Sequence, residues 1–410
     1  MHHDATFELA VGWERREWNR EISGPSSRRQ RLAARGPYQA AVPAELTYAT
    51  IDVDPQVLAE AEDAAREITR FDAEISAVAA RRADDTGAGS SELAPLASVL
   101  LRTESASSSE IEGVTAGARA LALAEIHQRT GPNAQLVSAN VRAMQRAVEL
   151  ADDISIDTIR GAQGALLEGH DYADPGQFRT TQVWIGSGAL SPHTATFVPP
   201  HHDRIHACME DLVTFIRRVD LPVLPHVAVA HAQFETIHPF NDGNGRTGRT
   251  LVHAMLRNAG LTTRLTVPVS AGLLADTAAY FSSLTAFREG NVNPVVRQFT
   301  EASFRAVGNG RQLINELEQI HDLWSDRLAS RRGSAARRAL PHLLNQPAVT
   351  VTTIQTAMKV AESAAQRAVE QLESAGIVAP TSSARRNRVW LAADVIDALD
   401  RFAERAGRRG

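Results

Sequence analysis

Lysine is all but missing from this chain. Of 43 basic residues among 410, 42 are arginine, and Lys359 stands alone. That excludes a G-x-x-x-x-G-K-[S/T] phosphate loop and a kinase-type Val-Ala-Ile-Lys strand. Schiff-base chemistry would have to use Lys359. Any phosphate handling therefore falls to arginine and to backbone amides. GC-rich coding accounts for much of the bias, but the exclusion holds whatever its origin. Cysteine is equally scarce: with Cys208 alone, no intramolecular disulfide and no cysteine-based zinc site can form, which suits a reducing compartment. Long apolar runs are missing too. Leu96–Leu101 is far short of a membrane span, and Met1-His2-His3-Asp4-Ala5 lacks the basic and apolar regions of a secretory leader. The expectation is a soluble cytoplasmic protein. A net charge of -5 argues against a protein that coats polyanions.

What is present reads as mainly helical, in two or three domains by length. Residues 1–50 are mixed, rich in Arg and Pro. Helical patterns run from about 54 to 82, 93 to 128 and 133 to 150, and another starts near Ser155. Asp84–Ser91 is a loop by composition. Alternation is clear in few places. Gln182-Val183-Trp184-Ile185, then a Gly/Ser/Pro loop, then Thr196-Phe197-Val198 closed by Pro199-Pro200, reads as a β-hairpin. From Asp203 to Glu301 the pattern is helical. A boundary follows near Arg331–Ala335. Beyond it, Ser363-x-x-Gln366 has the form of a capping box opening a helix that ends at Gly376. Two short strands flank a loop carrying Arg385, Arg386 and Arg388. That order is the order of a winged helix.

The most distinctive stretch is His238-Pro239-Phe240-Asn241-Asp242-Gly243-Asn244-Gly245-Arg246-Thr247-Gly248-Arg249. Apolar residues at helical spacing flank it on both sides, and Pro239 disfavours helix at His238. It is therefore a loop between two helices. Gly243 and Gly245 permit a nest of backbone N–H groups at the start of the second helix, a ready anion site. Arg246 and Arg249 share a face of its first turn and can clamp a polyphosphate. Asp242 would repel phosphate unless Mg²⁺ bridges them. His238, which titrates near neutrality, suits a general base. The bland alternative, a glycine-rich turn with solvated arginines, does not account for so many functional residues at such tight spacing.

Every defined position of that stretch resembles the signature of the Fic (Fido) family, His-Pro-Phe-x-[Asp/Glu]-Gly-Asn-Gly-Arg-x-x-Arg. The resemblance extends from about residue 93 to 305. It implies an all-α core with a small β-hairpin flap, and transfer of AMP from ATP to a Ser, Thr or Tyr hydroxyl of a protein. It implies that His238 is the base, that Asp242 holds Mg²⁺, that Gly243, Asn244, Gly245 and Arg246 bind phosphate oxygens, and that Arg249 takes the γ-phosphate. Gly176-Gln177-Phe178-Arg179 through Val183, Trp184, Ile185 and Gly186, with Phe197–Pro200, resembles the family's flap, which clamps the target by strand addition. Tyr280-Phe281 loosely resembles an aromatic pair near the adenine. Ser108-Ser109-Glu110-Ile111-Glu112-Gly113 resembles the inhibitory motif, with Ser108 and Glu112 on one helical face. Its position implies the class with an N-terminal inhibitory helix, in which Glu112 pairs with Arg249.

The implied organisation is an N-terminal helical extension at 1–92, an inhibitory helix region at 93–130, the core at 131–305, a connector at 306–335, a winged-helix domain at 336–400 and a basic tail at 401–410. The partners implied are a target protein, self-modification and a homodimer. The second helix of the C-terminal module exposes Glu370 and Glu373, which oppose phosphates, although the loop arginines favour DNA. Protein contact is preferred there. His201, His202 and His206 lack a metal-binding pattern. Competing functions are removal of AMP, transfer of UMP or phosphate on the same fold, and a DNA-binding regulator that senses nucleotide.

Overall fold

The computed structural model describes residues 9–18, 27, 34–86, 93–149, 152–169, 173–186, 191–263, 265–331, 333–382 and 388–407. Most of the expected loop at 84–91, the tip of the expected hairpin, Arg385, Arg386 and the last three residues lie outside them.

Two antiparallel strands come first, β1 (Gly12–Arg16) and β2 (Tyr38–Val42). The expected helical extension therefore begins with a sheet. Its helix is α1 (Pro55–Thr86). There follow α2 (Leu93–Ile111), α3 (Ala118–Glu125), α4 (Pro132–Glu149) and α5 (Ile156–Leu166). Helix α5 starts on a true capping box, with Ser155 and Thr158 bonding each other's backbone N–H. Next come α6 (Ile205–Ile216), α7 (Val223–Ile237), α8 (Asn244–Asn258), α9 (Val269–Leu274), α10 (Thr277–Arg288) and α11 (Asn293–Arg327). The chain closes with α12 (Ala335–Asn345), β3 (Ala348–Val349), α13 (Val351–Met358), α14 (Glu362–Ser374), β4 (Ala379–Pro380), β5 (Trp390–Leu391) and α15 (Ala393–Arg405). The three short strands are antiparallel in the order β3-β5-β4. Helix α15 runs through the start of the expected tail.

Two compact units form. One comprises Met1–Asp63, Arg146–Ala259 and Thr277–Thr300; the other comprises Ala64–Gln145, Gly260–Asp276 and Glu301–Gly410. The core of the first is α7, in which every residue from Leu224 to Ile237 is buried. Helix α7 is buried on every side, its apolar residues carrying His226, His231 and Glu235 inside with them, and α6, α8 and α10 pack around it. Gly248 lets α8 come close: a Cβ there would lie 2.9 Å from Phe234 Cδ1. In the second unit α2 packs on α9 and α12.

Two local readings change. The expected capping box at Ser363 does not form; the N-cap of α14 lies two residues earlier, at Ala361, with no side-chain cap. Between 182 and 198 the described residues form a single antiparallel bridge, Ile185 with Phe197, rather than a regular hairpin. Gln182 supplies part of the reason. Its Nε2 donates to the Val183 and Pro199 carbonyls at 2.9 Å, so side-chain bonds replace ladder bonds.

Candidate active site

The loop from His238 to Gly243 is held by its own residues. Helix α7 ends where the chain turns left-handed at His238 (φ 50°), its N–H bonding back to the Phe234 carbonyl. Pro239 then prevents continuation. The Asn244 side chain closes the loop from both directions: Oδ1 accepts from the Phe240 N–H and Nδ2 donates to the Phe240 carbonyl, each at 2.9 Å. Phe240 is fully buried and packs on Phe178 and Phe234. Gly243 turns left-handed again (φ 78°) to start α8, and a Cβ there would lie 3.0 Å from Leu166. Only glycine meets both demands cheaply. Gly245, read as a second loop glycine, is instead a helical residue of the first turn. The amides that face outward are therefore largely helix N-terminal ones, which carry the positive end of the dipole.

Charge is gathered around this loop. His238 is 22% exposed at its side chain, and its Nδ1 lies 3.8 Å from Glu235 Oε2. Asp242 is the most open, at 44%; its Oδ1 accepts from the Gly243 N–H at 2.6 Å and lies 3.5 Å from Arg246 Nη2. Arg246 and Arg249 are both buried. Two buried guanidiniums at the positive end of a helix dipole favour an anionic occupant. Beneath them His231 is wholly buried. Burial, reinforced by the Arg249 charge, pushes its imidazole down to about 3, so it stays neutral. Its Nε2 is 2.8 Å from the Tyr280 hydroxyl.

Arg179, quoted only as part of the expected flap, turns out to be the central brace. Its side chain is buried and donates to the carbonyls of His238 (2.8 Å), Thr181 (3.0 Å) and Pro200 (2.6 Å), while its own N–H donates to the Pro239 carbonyl (2.9 Å). Burial lowers its pKa to about 10, which leaves it charged at neutral pH. Gln163 makes a second link: Nε2 donates to the Asp242 carbonyl and Oε1 accepts from the Gly176 N–H. Neither role had a local sequence signal, because each residue bonds backbone far away in the chain. The legs around Val183–Gly186 rest on the N-terminal sheet region. Tyr38 donates to Gln182 at 3.0 Å, and Trp18 packs edge-on against Trp184.

The other expected site residues fall as follows. Tyr280 is buried and engaged with His231, while Phe281 beside it is half-exposed. Ser108 is buried inside α2. Helix α2 ends at Ile111, and Gly113 turns left-handed (φ 77°), so Glu112 sits in the turn beyond the helix and is exposed. Among the described residues no cluster of three or more His, Cys, Asp or Glu could hold a metal ion. No described helix is long and apolar enough to cross a membrane. Burial raises the Cys208 thiol to about 11, so it is inert near neutrality.

A histidine and a carboxylate at the rim of a cationic, amide-lined loop can accept a proton and hold a polyphosphate. Residues 153–256 match the model of the Fic/DOC family. The chain is 29% identical over 155 residues to protein adenylyltransferase fic-1 of Caenorhabditis elegans, covering 37% of this chain and 28% of that one. It is 27% identical over 189 residues to protein adenylyltransferase Fic of Nematostella vectensis, covering 43% and 40%. It thus spans less than half the length of these relatives. A Fic family protein from Desulfovibrio desulfuricans superposes with a TM-score of 0.52 at 20% identity, over 83% of this chain and 97% of that one, which shows a shared fold.

Proposed function

We propose that this chain, which carries a Fic/DOC family domain at residues 153–256, is a protein adenylyltransferase restrained by its own Glu112. One observation carries the reading: His238, Asp242, the start of α8 and the buried pair Arg246 and Arg249 belong to a single braced helix–loop–helix. A target Ser, Thr or Tyr hydroxyl attacks the α-phosphorus of ATP. The new O–P bond forms as the bond from that phosphorus to its bridging oxygen breaks, and pyrophosphate leaves. His238 takes the hydroxyl proton. Amides of Gly243, Asn244 and Gly245 and the Arg246 guanidinium bind phosphate oxygens, and Arg249 takes the terminal phosphate.

Asp242 is the residue that would hold Mg²⁺. One half-exposed carboxylate beside a phosphate site fits an ion that keeps water and phosphate oxygens as its other ligands. When bound, Mg²⁺ offsets polyphosphate charge. Tyr280 acts from below the nucleotide site, through His231, rather than as an open adenine contact. Val183, Trp184, Ile185 and Gly186 receive the target as an added strand. Glu112, with Ser108 in the supporting helix, restrains the reaction by competing for Arg249. The segment 336–400 is read as a winged-helix module for protein contact, and a homodimer and a cytoplasmic location go with this reading.

The test is incubation of the wild-type, Glu112→Gly and His238→Ala chains with Mg²⁺ and α-labelled ATP, followed by mass spectrometry of labelled protein. Glu112→Gly should label about 10-fold faster than wild type, a typical coupling between sites, and His238→Ala should not label. Equal labelling of the two variants would remove the autoinhibition. An added phosphate, or loss of a pre-formed AMP adduct instead of gain, would replace the reaction.

A further inference from the structure

Glu235 occupies the last turn of α7, three residues before His238, and its side chain is only 8% exposed. A buried carboxylate calls for a compensating charge. Arg288, the last residue of α10, is one such charge. Its Nη2 lies 3.4 Å from the Glu235 carbonyl oxygen, and the Glu235 charge acts on its guanidinium. Burial lowers Arg288 to about 10, so it stays a cation at neutral pH. The same guanidinium lies over the Phe197 ring, 3.9 Å from its centroid. One buried cation therefore touches both the returning leg of the flap, where Phe197 pairs with Ile185, and the end of the helix that carries the base.

A neutral imidazole acts as a base at one nitrogen only, and the environment of the other nitrogen decides which. The carboxylate of Glu235 faces Nδ1 at 3.8 Å. That is longer than a hydrogen bond, but such bonds tighten when the substrate binds.

We propose that Glu235 is a positioning residue for His238: it holds the proton on Nδ1, so that Nε2 presents its lone pair to the target hydroxyl, and Arg288 holds Glu235 in place. The inference rests on the adenylyltransferase reading for its rate effect and on geometry alone for its tautomer effect. As the hydroxyl proton arrives at Nε2, the imidazolium finds a carboxylate already beside Nδ1, and no group must move. Because Arg288 stacks on Phe197, displacement of that flap leg disturbs the same contact.

The experiment compares Glu235→Gln and Glu235→Leu in the Glu112→Gly chain, with folding checked by thermal melting. Gln keeps an acceptor without the charge; Leu removes both at similar volume. At saturating ATP the self-labelling rate should fall about 10-fold in Glu235→Gln and about 100-fold in Glu235→Leu, within the range of general-base effects. The ATP concentration for half-maximal rate should stay within about twofold, since ground-state binding is untouched. A role confined to packing would instead shift stability without this split. Imidazole nitrogen NMR at pH 8.5, with the His238 signals identified by their loss in His238→Ala, gives a readout that needs no activity. The Nδ1–H tautomer should dominate in the parent and lose its dominance in Glu235→Leu. An unchanged saturating rate, or an unchanged tautomer, in a folded Glu235→Leu chain overturns the proposal. If the parent transfers no AMP at all, the adenylyltransferase reading fails, and the tautomer still decides what Glu235 does.

Discussion

Helices α2 and α8 both carry charge inward, and they do so for different ends. In α2, within the second unit, the buried polar groups are answered by the chain itself. Arg102 makes a bidentate pair with Glu125 at 2.9 and 2.6 Å and also bonds the Asn345 carbonyl and Gln346. Glu104 accepts from both the N–H and the hydroxyl of Ser270. Asn140 donates to the Ser105 carbonyl and the Ser109 hydroxyl. In α8, within the first unit, the buried arginines stand at the helix start, next to a left-handed glycine and a half-exposed aspartate 3.5 Å away. Burial of charge is costly in both places. In α2 the cost is offset by internal partners, so the charge works as structure. In α8 the buried charge stands at the start of a helix, at the positive end of its dipole, which is where the proposed function puts a polyphosphate. Burial alone therefore does not mark a functional charge; its place at a helix start, beside a half-exposed carboxylate, distinguishes α8 from α2.

The contrast can be broken most forcefully at Arg102. Arg102→Ala removes a buried guanidinium and leaves Glu125, 15% exposed, without its partner; it should cost about 3 kcal/mol of stability, read from chemical denaturation. A loss under about 1 kcal/mol would mean that the α2 network is not structural. The matching change in α8, Arg249→Met, should lower labelling about 100-fold at fixed ATP, as expected for a lost charged phosphate contact. Its melting shift should be smaller than that of Arg102→Ala. Comparable stability losses would erase the distinction between the two helices. The finest test uses pH. His231 has a folded pKa of about 3 against an ordinary value of 6.5, so below pH 6.5 the unfolded chain binds a proton that the folded chain refuses. Stability should fall as pH drops from 6.5 towards 3, by up to about 1.4 kcal/mol per unit from this group. The pH slope should flatten by that amount in His231→Gln; an unaltered slope would show that His231 is not held neutral by its surroundings.

What could be read without coordinates follows from how local each signal is. The loop between two helices at 238–249 was legible because Pro239 and Gly243 act on their own backbone. The hydrophobic face of α7 was legible through spacing. Arg179 and Gln163 were not, since they bond carbonyls and amides brought near only by the fold. The strands β1 and β2 were missed because their five-residue segments mix Arg, Gln and Ala with few β-branched residues. Ser363 resembled a cap, but α14 starts at Glu362, which puts that serine inside the first turn. Glu112 was assigned to the helix, but α2 ends one residue before it, at Ile111, where the chain turns towards the left-handed Gly113.

Arg179 has a final consequence, for what can be changed in this molecule. It grips the loop and both flap legs through main-chain carbonyls of His238, Thr181 and Pro200. Every residue type offers the same carbonyl, so the grip is indifferent to the side chains it spans. On the proposed function, changes in the segment Val183–Gly186 should alter target choice while His238 stays anchored. If that reading holds, specificity and chemistry are separable, and Val183 is the first position to vary, since Trp184 also packs against Trp18.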